Sequence, residues 1–159
     1  MDERKRVLDY LQTHRVMVVA TAGEEGVAAA AVFYVNHGLN FYFVSAPHTR
    51  HCRNMLADPR VAITIHEDYI DWSSIKGVQM NAIGRELAGS ESEAAQHLYV
   101  AKFPEVFTSS AASSEIGPSL LKARWYELAV NKLRFIDNAR SFGYREEWSR
   151  AQLTATRVS

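Results

Sequence analysis

The chain has 159 residues, 47% of them apolar and 23% charged, a globular composition that excludes disorder, collagen and coiled coil and fits a single domain over residues 1–159. Eighteen Lys and Arg balance eighteen Asp and Glu, so no overall field draws in nucleic acid or an anionic membrane. The lone cysteine, Cys52, cannot close an intramolecular disulfide, and no apolar run reaches the ~20 residues of a membrane span, so a cytoplasmic protein is expected.

Residues 2–14 carry Val7, Leu8 and Leu11 at helical spacing behind Asp2 and Glu3, which suit a helix N-terminus. The period then turns to two. Val16 to Thr21 reads as a strand, Gly23-Glu24-Glu25-Gly26 as a hairpin turn, and Val27 to Val35 as a second strand. Asn36-His37-Gly38 turns the chain into a third strand, Leu39 to Ser45, rich in aromatic residues, so three strands are expected to form a meander. Pro47-His48-Thr49 stops it. Thr49 is placed to cap a short helix whose apolar side carries Cys52, Met55 and Leu56, and Asp58-Pro59 ends that helix.

Val61, Ile63 and Ile65 alternate with Ala62, Thr64 and His66 as a fourth strand; Glu67 to Ser74 is a polar loop. Ile75 to Leu87 is a long fifth strand in which Gly77 and Gly84 mark a bend or bulge. Ser90-Glu91-Ser92-Glu93 has capping-box spacing before a helix that stops near Pro104. Thr108 to Ser119 reads as a mobile loop, Leu120 to Val130 as a sixth strand, and Lys132 to Ile136 as its continuation. The tail from Asp137 is mixed and aromatic. A mainly β (α+β) fold follows, a small antiparallel barrel of six or more strands with short flanking helices.

Chemistry concentrates at two places. Thr49, Arg50 and His51 open a helix, where unpaired backbone N–H groups meet a guanidinium and an imidazole, with Ser45 adding a hydroxyl across the turn. That set suits a phosphate; an ordinary capped helix with solvated basic residues reads from the same spacing. The run Val27-Ala28-Ala29-Ala30-Ala31 keeps both faces of a strand low, which admits a flat ring or a partner's backbone, or simply packs a bulky neighbour such as Trp125. His48 and His51 lie three apart beside Cys52, but His14, His37, His66 and His97 are scattered over separate elements, so no metal site is expected, and no Rossmann or P-loop glycine pattern occurs.

The order of these features resembles the pyridoxamine 5'-phosphate oxidase-like FMN-binding split barrels, over residues 5–150. The likeness lies in the Ala-Val-Phe-Tyr and Phe-Tyr-Phe-Val-Ser strands, Thr49-Arg50-His51, Asp58-Pro59-Arg60-Val61 and Gly77-Val78-Gln79. It is similar most of all to a branch of small bacterial proteins of unassigned activity that end in a Phe-x-Asp-Asn, Phe-Gly and Trp pattern, here Phe135 to Asn138, Phe142-Gly143 and Trp148. The resemblance implies FMN as cofactor. It places the family's Ser-Arg-Lys phosphate motif on Thr49, Arg50 and His51, its Tyr-Thr pair on Val44 and Ser45, and its flavin-lining strand on Ala29, Ala30, Ala31, Val32, Phe33 and Tyr34, with Gln79 at the ring's polar edge. His51 replaces a lysine, and Ala29 an arginine often found there.

The family's substrate-holding Arg-x-His pair has no counterpart in Ser141 to Arg145, so vitamin-B6 oxidation is not expected. No catalytic side chain is assigned. An FMN-dependent oxidoreductase acting on a small molecule is the expectation; a haem-binding or haem-degrading barrel using His48, His51 or His66, and a non-enzymatic flavin module, are the alternatives. A homodimer is expected as well, because Val32 with Phe33, Phe41 with Tyr42, and Phe43 with Val44 put apolar side chains on both faces of strands that have only one interior. The resemblance places each flavin in the groove between two barrels, with Phe142 and Trp148 reaching that groove.

Overall fold

A computed structural model describes residues 2–108, 119 and 122–155. The expected loop over Thr108 to Ser119 and the strand start at Leu120 fall largely outside those residues. Alternating apolar residues build one curled antiparallel sheet of eight strands: β1 (Val16–Gly23), β2 (Gly26–Phe33), β3 (Val35–His37), β4 (Asn40–Ser45), β5 (Arg60–His66), β6 (Lys76–Glu86), β7 (Arg124–Asp137) and β8 (Arg145–Ser149). The strand order is β2-β1-β5-β6-β7-β4-β3, with β8 on the free half of β7 beyond the end of β4. The helices are α1 (Glu3–Thr13), α2 (Arg50–Ala57), α3 (Gly89–Lys102), α4 (Pro104–Thr108) and α5 (Arg150–Thr154).

The expected meander does not form. The second run breaks at Tyr34, which turns fully into the core; its hydroxyl donates to the Leu11 carbonyl and its N–H to the Arg15 carbonyl. β2 and the β3–β4 hairpin stand at opposite ends of the strand order, and the break between them falls at this buried tyrosine.

The inner face holds the core: Met17 and Val19 from β1, Phe41 and Phe43 from β4, Ile63 and Ile65 from β5, Val78 and Met80 from β6, and Leu128, Leu133 and Phe135 from β7. α1 seals one end with Val7 and Leu11, and α2 packs on β1 with Cys52 and Met55. Leu56, expected on that apolar side, is 88% exposed, and the buried polar position is Asn54, whose amide donates to the Thr21 hydroxyl at 3.0 Å.

Three further expectations are corrected. No bulge falls at Gly77 or Gly84 of β6; the irregularity lies opposite, where Asn131 is the extra residue of β7 between the Asn81/Lys132 and Ala82/Val130 pairs. The Ser90 capping box is not formed, because α3 begins at Gly89 behind Ala88 and puts Ser90 inside the first turn. Finally, the outer face of β4 is covered by this chain itself: Tyr42, Val44 and Trp125 pack on Tyr99 and Phe103 of α3 and its C-terminus. Among the described residues, most of the outer face of β1, β2, β5 and β6 stays uncovered, though Phe33 of β2 meets Phe103 edge-on.

Candidate functional site

β4 ends at Ser45, a tight turn follows, and α2 starts at Arg50, so the two hydroxyls and the imidazole expected to meet do meet. His51 Nε2 lies 2.8 Å from Ser45 Oγ and 3.2 Å from Thr49 Oγ1, and the two hydroxyls are 3.3 Å apart. Thr49 stands at the N-cap position but does not cap: its hydroxyl donates to the Ala46 carbonyl at 2.8 Å, leaving the first turn of α2 without a side-chain cap. The Ser45 hydroxyl and the His51 imidazole beside uncapped helical N–H groups form a donor set that fits a phosphate, while the Thr49 proton is already given to Ala46.

Arg50 points elsewhere. Its Nη2 donates to the Glu25 carbonyl at 2.7 Å, fastening α2 to the β1–β2 turn, and Nε lies 3.8 Å from the Glu25 carboxylate. Behind the cradle sits Cys52. Burial raises its thiol's pKa, but hydrogen bonding with His51, Thr49, Tyr126 and Ser45 outweighs burial and brings it below the usual thiol value.

The remaining expected residues separate by face. Ala29, Ala31 and Phe33 point outward from β2, while Ala30 and Val32 point inward and are half-buried. Val44 is packed under α3. Gln79 is exposed on the outer face of β6. Trp148 packs against the inner core from β8, and Phe142 is 78% exposed on the turn after β7. Those two therefore lie on different surfaces.

Sequence reasoning missed the company Gln79 keeps. Residues directly opposite in an antiparallel pair share a face, so the registers define two rows across the sheet. One runs Ala31, Val18, Thr64, Gln79, Arg134, Glu147; the other runs Ala29, Ala20, Ala62, Asn81, Lys132, Ser149. Between β1 and β7 these rows line an open cavity of about 360 Å³. The i, i+2 pairs Ala62/Thr64, Gln79/Asn81 and Lys132/Arg134 were the available signal, but they join only once the pairing is known. Among the described residues, no cluster of three or more His, Cys, Asp or Glu could hold a metal, and no helix is long and apolar enough to cross a membrane.

The family model described as pyridoxamine 5'-phosphate oxidase matches residues 4–137. A UPF0306 protein of Photorhabdus laumondii is 30% identical over 143 residues, covering 89% of this chain and 92% of the relative. A haem-binding protein from Mycobacterium smegmatis superposes with a TM-score of 0.69 at 21% identity, over 92% of this chain and 57% of that one. An FAD-binding protein of Mesorhizobium loti gives a TM-score of 0.63 at 16% identity, over 91% and 93% of the two chains.

Proposed function

The chain belongs to the pyridoxamine 5'-phosphate oxidase family and groups with the UPF0306 proteins, and on that premise we propose that it is a flavoprotein that binds FMN and acts as an oxidoreductase on a small molecule. The observation that carries this reading is the cradle at the start of α2. There Ser45, Thr49 and His51 converge within 3.3 Å beside a helix N-terminus free of a side-chain cap. The phosphate binds there, and the isoalloxazine lies against the low alanine strand, with Gln79 at its polar edge. Bound flavin supplies the redox chemistry; the chain's part is to hold the phosphate, present a flat wall and exclude water. The absence of an Arg-x-His pair in Ser141 to Arg145 argues for a substrate other than a vitamin-B6 phosphate.

Titration of flavin-free protein with FMN and with riboflavin tests the cradle. Arg50 swings from the Glu25 carbonyl to the phosphate, so Arg50→Ala is expected to weaken FMN about tenfold or more and riboflavin little. Equal losses for both ligands would remove the phosphate from this site.

A haem reading has one supporting observation besides the haem-binding neighbour. His66 is an exposed imidazole at the end of β5 that could ligate a haem iron. The absorption spectrum of protein supplied with both cofactors decides between the flavin pair of bands and a Soret band.

A further inference from the structure

β1 and β5 pair antiparallel with Val18 opposite Thr64, so the residues just outside them, His14 before β1 and Glu67 after β5, meet at one end of the sheet. The half-buried imidazole of His14 has a partner on each nitrogen. Nδ1 lies 2.8 Å from the Tyr10 carbonyl oxygen and Nε2 lies 2.9 Å from Glu67 Oε1. A carbonyl and a carboxylate only accept, so both nitrogens must donate, and only the doubly protonated ring satisfies both. With one proton gone, a nitrogen lone pair faces an oxygen. Glu67 is then the group that yields, because its side chain is 58% exposed and has room to swing into water.

The neighbours of the ring do not supply that proton. On α1 the Tyr10 ring lies 3.9 Å from the imidazole, and the Thr13 hydroxyl, 3.4 Å from Nδ1, already donates to the Tyr10 carbonyl. Lys102 of α3, over Tyr34, donates to the His14 backbone carbonyl and not to the ring. Arg15 is paired with Glu105 of α4 at 3.2 Å, Tyr69 bonds to Tyr10, and His66 turns Nδ1 to the Glu67 carbonyl at 3.3 Å. Glu67 opens the loop 67–75, whose further ties do not depend on a proton near neutral pH. Asn138 donates to the Trp72 carbonyl at 2.8 Å. The Tyr10 phenol, raised by burial, donates to the Lys76 carbonyl at 3.2 Å. Asp71, held below the usual carboxylate range by the Ser73 hydroxyl, accepts from the Ser74 N–H at 3.0 Å. We infer that His14 and Glu67 form a pH-operated clasp: the imidazolium fastens the loop that carries Ile70 and Trp72 to the end of α1, and loss of one proton releases it. Both of those apolar side chains are highly exposed, so the clasp governs how they are presented. It uses none of Ser45, Thr49, Arg50, His51 or Gln79 and stands apart from the flavin reading.

Backbone amide exchange of the full chain, read by mass spectrometry at about pH 5.5 and about pH 7.5, brackets the range in which imidazole titrates. Rates are divided by those of an unstructured peptide at the same pH. In wild type the amides of Asp68 to Ser74 should lose protection severalfold at the higher pH while β5 stays unchanged. Glu67→Gln should hold the loop equally at both values, because a carboxamide accepts from a charged imidazole and turns to donate to a neutral one. His14→Gln should also remove the difference, and His66→Gln should keep it. A Glu67→Gln loop that stays protected at the higher pH separates the clasp from damage to the fold. Equal protection of the wild-type loop at both values overturns the inference. So does a difference that survives Glu67→Gln or His14→Gln, which places the titrating group on Lys102 or elsewhere, or one that vanishes with His66→Gln.

Discussion

Gly77 and Gly84 sit on one strand and are buried for different reasons. A Cβ on Gly77 would lie 2.9 Å from the Ile65 carbonyl oxygen, which is backbone of the paired strand and cannot step aside. On Gly84 it would lie 2.7 Å from Met55 Sδ, the far end of a flexible side chain. Gly77→Ala is therefore expected to cost about 1–3 kcal/mol, and Gly84→Ala clearly less, a ranking that denaturant midpoints will check. Lys102 carries a second residue-scale prediction. It leaves α3 to cap the C-terminal end of α1, donating to the His14 carbonyl at 2.6 Å over the Tyr34 ring. Burial, with the Arg15 charge adding to it, lowers its ammonium to about 8. Below that pH the fold carries the whole cost of the buried charge. Between pH 8 and the unfolded value near 10.5 the unfolded chain holds the extra proton, so stability rises with pH. The Cys52 thiol, also lowered, contributes in the same direction. Above pH 10 the buried tyrosines oppose this, Tyr99 having been pushed up to about 12 by burial. Lys102→Met should flatten the rise between pH 8 and 10, and an unchanged slope would assign it all to the thiol. The phosphate cradle was legible in the sequence, because its partners lie within seven residues and one turn brings them together. The cavity on the outer face was not, because its members come from four separate strands.

At the scale of elements, periodicity marked every long strand, since each buries one face on its own. β8 escaped because Arg145, Glu146, Glu147 and Trp148 show no apolar alternation. It becomes a strand only through pairing with β7, where Glu147 meets Arg134 and Lys132 and Trp148 meets Leu133. Its end is fixed by a capping box, Ser149 with Gln152 at the start of α5, whose Ser-x-x-Gln spacing went unread in the mixed tail. The break at Tyr34 escaped as well, because what turns that residue inward is a carbonyl on α1, 23 residues away. Asn138 plays a comparable long-range part. Its amide donates to the Trp72 carbonyl at 2.8 Å and its side-chain oxygen accepts from the Gly143 N–H at 3.0 Å, so one residue holds the loop carrying Ile70 and Trp72 against the turn carrying Phe142. All three of those side chains are highly exposed. Asn138→Ala should therefore cost about 1 kcal/mol or somewhat more in stability. It should also speed backbone hydrogen exchange in both segments without changing exchange in β5, and unchanged exchange in the two segments would mean each holds itself.

On the whole molecule the question is what the bare outer face is for. Part of the burial argument for a dimer has gone, since α3 covers Tyr42 and Val44. What remains is more specific. The two polar-graded rows are bracketed on either side by apolar pairs: Val16 opposite Phe33 beyond one row, Val27 and Ile83 beyond the other. These four are 39%, 53%, 81% and 43% exposed, well above what the inner positions of the same strands show. An apolar rim around a cavity with polar groups is the arrangement expected if a second copy closes over it, burying the rim and enclosing the middle. A two-fold axis makes any change at such a face act twice. Val27 offers the cleanest test, because at 81% exposure its side chain adds little to the isolated fold. Sedimentation of wild type should give twice the chain mass at micromolar concentration. Val27→Glu should give the monomer mass with an unchanged far-ultraviolet spectrum, and at matched concentration it should hold FMN less tightly, since the proposed ring site is shared between copies. If the variant remains a dimer, the pairing runs through another surface; if it becomes a monomer with undiminished flavin affinity, each chain holds its ring alone.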